Sequence, residues 1–206
     1  MAGLLPPTRP AGDPVPVAFL GQGFEDRTGM PLVESEDFRA ALSRHPAGVV
    51  VVTATMHKRR TAITVTSFTS ASMDPPLVSF YVKGESSSFR PLVEAEFFGV
   101  NFLESGQRSI AETCSRSEVD RFSPSAAWAT GPHQIPLLKG ATVHLICSRE
   151  QVVGLGDHHL VVGAVTETRV MNSGRPLIYC DRSYADIVDT RIVDHDFHQR
   201  EEGEGG

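Results

Sequence analysis

The stretch Thr61-Ala-Ile-Thr-Val-Thr-Ser-Phe-Thr-Ser-Ala-Ser-Met-Asp-Pro-Pro-Leu-Val-Ser-Phe-Tyr81 decides how this chain of 206 residues is read. Its β-branched and aromatic residues favour pleated strands. The corner Asp74-Pro75-Pro76 ends one strand before Leu77–Val82 begins the next, because proline lacks the N–H that a ladder uses. The part of the stretch before this corner, with its strand expected over Ile63–Ser70, is crowded with small hydroxyls: Thr61, Thr64, Thr66, Ser67, Thr69, Ser70 and Ser72. Successive side chains point to opposite faces, so one face carries a row of short donors and acceptors. Such a row suits the polar edge of a flat ligand. An ordinary solvated β-surface has the same composition.

Outward from this stretch the chain stays mostly β. Further strands are expected at Val49–Met56, Phe97–Leu103, Thr142–Val153, His159–Val170 and Leu177–Tyr179. Helices are expected from Ser35, which can cap a turn opened by Glu36 and Asp37, and around Phe89–Ala95 and Gln107–Arg116. Phe38 and Leu42 share a face of the first helix, which Pro46–Gly48 ends. Many strands at short spacing with few helices predict a mainly β fold, an antiparallel barrel rather than a doubly wound parallel sheet. Gly21–Asp26 and Gly154–Asp157 are poor matches to a dinucleotide fingerprint, lacking its third glycine and its strand–helix setting.

Three regions are expected: a Pro/Gly-rich extension over residues 1–33, a domain over 34–192, and an acidic disordered tail over 193–206. The tail holds Asp194, Asp196, Glu201, Glu202 and Glu204 against Arg200, so about −2 of the formal −6 belongs to the rest of the chain. With no basic stripe, nucleic-acid binding is not expected. No apolar run approaches bilayer length, and Met1–Pro16 lacks the pattern of a secretion signal. The separated Cys114, Cys147 and Cys180 are expected to be reduced core thiols of a cytoplasmic protein.

Three segments could carry chemistry. Lys83-Gly-Glu-Ser-Ser-Ser-Phe89 follows a strand and opens a helix, a setting for an anionic phosphate or simply a serine-rich cap. Gly156-Asp157-His158-His159 is a tight turn leading into a strand. Its two histidines must face opposite ways, which disfavours a shared metal and leaves one free to face a cleft. Asp120-Arg121-Phe122 is a solvated loop or a clamp over a ligand. Trp128 reads as a packing aromatic. There is no nucleophile elbow and no metal-ligand spacing.

In order along the chain, several blocks resemble the flavin reductase family with the FMN-binding split-barrel fold. They are Phe38–Val49, Thr64–Leu77, Ser86–Phe89, Phe98–Leu103, Asp120–Phe122, Gly156–His158 and Pro176–Tyr179 to Tyr184. These NAD(P)H:flavin oxidoreductases are the partners of two-component monooxygenases. The resemblance implies that Thr61, Ala62, Ile63, Thr64, Thr66 and Ser67 lie along an FMN or FAD ring. It implies that Tyr81, Val82, Lys83, Ser86, Ser87 and Ser88 hold the ribityl chain and phosphate, and that Asp120, Arg121 and Phe122 are further cofactor contacts. NADH or NADPH would stack near His158, the catalytic candidate, flanked by Pro176, Leu177, Ile178, Tyr179 and Tyr184. The implied reaction is hydride transfer from nicotinamide C4 to flavin N5, by a homodimer delivering reduced flavin through diffusion. A flavin carrier that does not oxidise nicotinamide, or another reaction on a retained flavin, would use the same fold. Thr113-Cys114 departs from the basic–aromatic pair of many relatives.

Overall fold

Val49, Val50, Val51 and Val52 are each no more than 2% exposed. A strand apolar on consecutive residues must be covered on both faces, and these four lie where two cores meet. The computed structural model describes residues 17–19, 32–171 and 174–187. The terminal segments, including most of the expected extension and the whole acidic tail, lie outside the described residues.

The elements begin with β1 (Val17–Phe19), α1 (Ser35–Ser43), β2 (Ala47–Gly48), β3 (Val50–Met56) and β4 (Arg59–Val65). They continue with β5 (Thr69–Met73), β6 (Pro76–Lys83), α2 (Phe89–Glu94), β7 (Phe97–Phe102) and α3 (Arg108–Ser115). A hairpin of β8 (Trp128–Thr130) and β9 (Pro136–Leu138) precedes the long β10 (Val143–Leu155) and β11 (His158–Val170). The last strands are β12 (Ile178–Cys180) and β13 (Ser183–Ala185).

The main sheet runs β4-β3-β7-β10-β11-β6-β5 with antiparallel neighbours, and β1 lies parallel to the part of β10 beyond the end of β7. The expected antiparallel barrel has an open seam: no ladder closes it among the described residues. Its end strands, β4 and β5, are nonetheless consecutive in the chain, joined through Thr66-Ser67-Phe68. The single strand expected over Ile63–Ser70 is therefore two. Two contacts account for the break. Ser67 Oγ accepts the Tyr81 N–H at 3.0 Å, and Phe68 meets Phe102 edge-on with centroids 5.3 Å apart.

One core, under α2, packs Val50, Val52, Phe80, Phe98, Val100 and Leu92. The other, under α3 and the β8–β9 hairpin, packs Val51, Leu103, Cys114, Phe122, Trp128 and Leu177. Buried polar groups fasten the hairpin to the sheet. Asn101 donates to Val51 O (2.9 Å) and accepts from Leu138 N–H (2.8 Å), while Thr53 donates to Pro136 O (2.6 Å). Satisfying these groups matters because each buried, unpaired polar atom costs about 1–3 kcal/mol.

Several local expectations are corrected. Ser35 is the first helical residue rather than the cap; Glu34 occupies that position without a side-chain bond. Phe38 and Leu42 share a face but stay 54% and 55% exposed, so α1 is not held by burial. Cys114 and Cys147 are core thiols, whereas Cys180 is only partly buried. No helix among the described residues is long and apolar enough to cross a membrane.

Two outcomes follow from this packing. An added Cβ at Gly163 would sit 2.4 Å from the Phe98 ring and 3.1 Å from Ser148 O. Gly163→Ala should destabilise the protein by about 1–3 kcal/mol, read from urea unfolding. Burial pushes the Cys114 and Cys147 thiols up to about 12. Iodoacetamide at mildly alkaline pH should therefore label Cys180 alone in the native protein and all three thiols after denaturation, as mass spectrometry will show.

Candidate functional site

β4 is an end strand, so half of its backbone groups face away from β3 without a ladder partner. The carbonyl of Ala62 faces that way. It accepts from Ser88 Oγ at 3.1 Å and from Arg121 Nη1 at 2.9 Å. Alternation along an antiparallel strand turns the Thr64 backbone groups to the same open edge. The Thr64 hydroxyl donates to Ala111 O at 2.6 Å and ties β4 to α3. Thr61 is buried and Ile63 half-buried, while Thr66 and Ser67 are exposed. The expected single row of hydroxyls is thus divided between a helix anchor, an edge and a break.

At the start of β4 lies a polar depression of about 220 Å³, walled by Thr61, Ala62, Ser87, Asp120, Arg121 and Phe122, with Arg59 and Arg60 at its side. Arg121 is its centre. Nε donates to Arg116 O (2.7 Å), Nη2 to Ser87 Oγ (3.3 Å), and Nη1 to Ser88 Oγ as well as to Ala62 O. None of these partners is charged, and burial lowers the Arg121 pKa. A half-buried cation with only neutral partners is the electrostatic complement of an anion. Phe122 packs in the core, edge-on to Trp128 at 5.1 Å, and Arg60 lies over its ring at 4.3 Å. Asp120 holds the turn by accepting the Phe122 N–H at 3.0 Å. The segment is not a solvated loop. Ser88 is fully buried and bonded to β4 rather than capping α2, and Ser86 accepts its N–H at 3.3 Å.

At the other end of β4 lies an open cleft of about 920 Å³, whose wall combines Thr66, Ser67, Asp157, His158 and Tyr179 with the exposed face of α1. Gly156, at φ +60, and Asp157 form the turn that presents His158. The His158 Nδ1 lies 2.7 Å from Asp157 Oδ1. This hydrogen bond, together with the charge of Lys83, holds the Asp157 carboxyl below its usual range, so it stays ionised at neutral pH. His159 faces the opposite way and lies against Phe89, the rings tilted at 36° with centroids 4.2 Å apart. The two histidines therefore diverge as expected.

The remaining candidates are scattered around these two cavities. Tyr81 gives its backbone N–H to Ser67 and exposes its ring; Val82 is core, and Lys83 pairs with Glu85 at 3.3 Å. Tyr179 lines the cleft, with Tyr184 edge-on behind it at 5.2 Å. Leu177 is core, Ile178 half-buried and Pro176 exposed beside Glu104. Thr113 donates to Ser109 O, and Cys114 Sγ contacts Arg121 O at 3.8 Å. That helix therefore supports the arginine from behind. The contribution of α1 to the cleft is not legible in the sequence, since the shared face of Phe38 and Leu42 reads equally well as one that packs on the core.

Comparisons with known proteins agree with this architecture. An NADH:FMN oxidoreductase of Rhodococcus qingshengii is 38% identical over 152 residues, 72% of this chain and 79% of the relative. The reductase component of the 4-hydroxyphenylacetate 3-monooxygenase of Thermus thermophilus is 34% identical over 154 residues, 74% of this chain and 97% of the relative. Among solved structures, an NADH:FAD oxidoreductase of Streptomyces globisporus in complex with NAD and FAD fragments superposes with a TM-score of 0.72. It is 28% identical, and the match covers 79% of this chain and 99% of that one. The flavin reductase like domain matches residues 42–188, from the end of α1 past β13, and the chain belongs to that family.

Proposed function

We propose that this protein is an NAD(P)H:flavin oxidoreductase that releases reduced FMN or FAD to a separate monooxygenase. The observation that carries this reading is the pairing of two cavities along one unpaired strand edge. Arg121 and the serines stand at one end, His158 and a roomy cleft at the other. From Arg59 to Val65 β4 covers about 20 Å, a span suited to a ring system and its phosphorylated side chain.

The donor set fits a flavin. The alternating amides and carbonyls of the β4 edge complement the pyrimidine end of an isoalloxazine, with Thr66 and Ser67 at its margin. Arg121, set by four neutral acceptors, and Ser87 are in position to bind the 5′-phosphate. Bound together, a reduced nicotinamide and a flavin supply the redox chemistry themselves, a hydride passing from C4 to N5. The chain's task is to hold the two rings at a fixed separation, which removes the need for an acid–base dyad. His158, oriented by Asp157, positions the nicotinamide amide or balances charge at the cleft floor. A carrier would need only the Arg121 end; the cleft beside His158 favours the reductase. Relatives named as monooxygenase reductase components support an oxygenase partner. Exposed Leu32, Val33, Phe38 and Leu42 support a homodimer.

Purified protein mixed with FMN and NADH should consume nicotinamide absorbance rapidly; bound flavin without NADH oxidation would leave only a carrier. His158→Ala should raise the KM for NADH about tenfold, the worth of one oriented hydrogen bond, with a much smaller change in flavin affinity. Equal loss of both, or loss of neither, removes the role of His158. Arg121→Ala should weaken FMN binding at least tenfold and riboflavin, which has no phosphate, far less; fluorescence titration reads both.

A further inference from the structure

Arg182 holds a position that the flavin site does not explain. Between β12 and β13 the turn residues Asp181 and Arg182 have φ +50 and +59, the left-handed region that glycine and asparagine usually fill. His57 and Lys58 adopt the same conformation between β3 and β4, so what sets Arg182 apart is where its turn is held. The turn is pinned to the end of α1, where Asp181 N–H donates to Ser43 O at 2.6 Å and its carboxylate lies 3.4 Å from Arg44. Arg182 consequently walls two cavities at once. One is the 920 Å³ cleft beside His158. The other is a depression of about 350 Å³ behind Tyr179, which Arg116, Ser183 and Tyr184 also line.

The charges there are unequal. Arg44 is matched by Asp181 and Arg108 by Glu112 at 2.8 Å, but Arg182 and Arg116 have no carboxylate partner among the described residues. An uncompensated guanidinium on the rim shared by two cavities suits a group with adjacent phosphates, because its planar donors match phosphate oxygens in pairs. Resting on the reductase reading above, we propose that Arg182 fixes the diphosphate of the reduced nicotinamide dinucleotide. The nicotinamide then lies beside His158 and the adenosine end behind Tyr179. Arg182 is thus a positioning residue for the hydride donor. The diphosphate of FAD is the other source of the same chemistry, so the test uses FMN, which has none.

With FMN as acceptor, NADH is compared with 1-benzyl-1,4-dihydronicotinamide, a hydride donor without phosphates. Arg182→Gly is the main variant, since glycine accepts the φ of this turn. It should lower the ratio of kcat/KM for NADH over the benzyl donor about tenfold, the worth of one charge-assisted hydrogen bond, chiefly through KM. Arg182→Lys should recover part of the loss. Equal losses with both donors mean that Arg182 only supports the turn and overturn the proposal; an unchanged ratio does the same. If the unsubstituted protein oxidises NADH and the ratio does not move, this inference alone fails. If it oxidises neither donor, the reductase reading fails and takes this inference with it.

Discussion

An end strand carries amides and carbonyls that no neighbour pairs, and β4 meets that constraint with side chains where most strands use another strand. The Ala62 carbonyl is the fixed point. It gathers Ser88 from the turn before α2 and Arg121 from the loop after α3, drawing together segments far apart in the chain. Ser67 and Tyr81 fasten the far end of the seam. Pairing the whole edge with another strand would close the barrel and remove the site. Leaving it bare would invite association with another chain. Side-chain fastening at the two ends keeps a polar slot open between them.

The same arrangement governs the electrostatics. The protein is acidic overall, yet its two cavities each present an arginine that faces neutral groups or solvent rather than a carboxylate. Net charge therefore says little about what this molecule binds, because local fields act over short, poorly screened distances. Cys114 illustrates how the support is built. Its thiol is neutral and inert in the second core, where it packs behind Arg121 and stiffens the backbone that aims the guanidinium. On the cleft side, the Asp157–His158 pair plays the corresponding orienting part.

Much of this could be read in the residues beforehand. The strand character of Val49–Met56 and the Pro75-Pro76 corner come from properties that act locally: side-chain branching and a missing N–H. The divergence of His158 and His159 follows from the same kind of rule, strand alternation. Other features depended on contacts distant in sequence. The break at Thr66–Phe68 reflects Tyr81 and Phe102, which propensity cannot see. Ser88 looked like a helix cap, but the unpaired Ala62 carbonyl drew its hydroxyl away. Family resemblance marks Arg121 only as a cofactor contact; its character as a half-buried cation without a charged partner depends on Ala62, Ser87, Ser88 and Arg116, which its own segment does not reveal. The walls contributed by α1 and Arg182 were not foreseen, since a short exposed helix and a two-residue turn carry no ligand signature by themselves.

Amide hydrogen exchange, followed with and without saturating FMN, tests most directly whether the seam of β4 is where the ring binds. The account predicts slowed exchange confined to 62–68, to Tyr81, to 86–88 and to 120–122, with the β8–β9 hairpin unaffected. Protection centred on other strands, or a pattern indifferent to FMN, would contradict it.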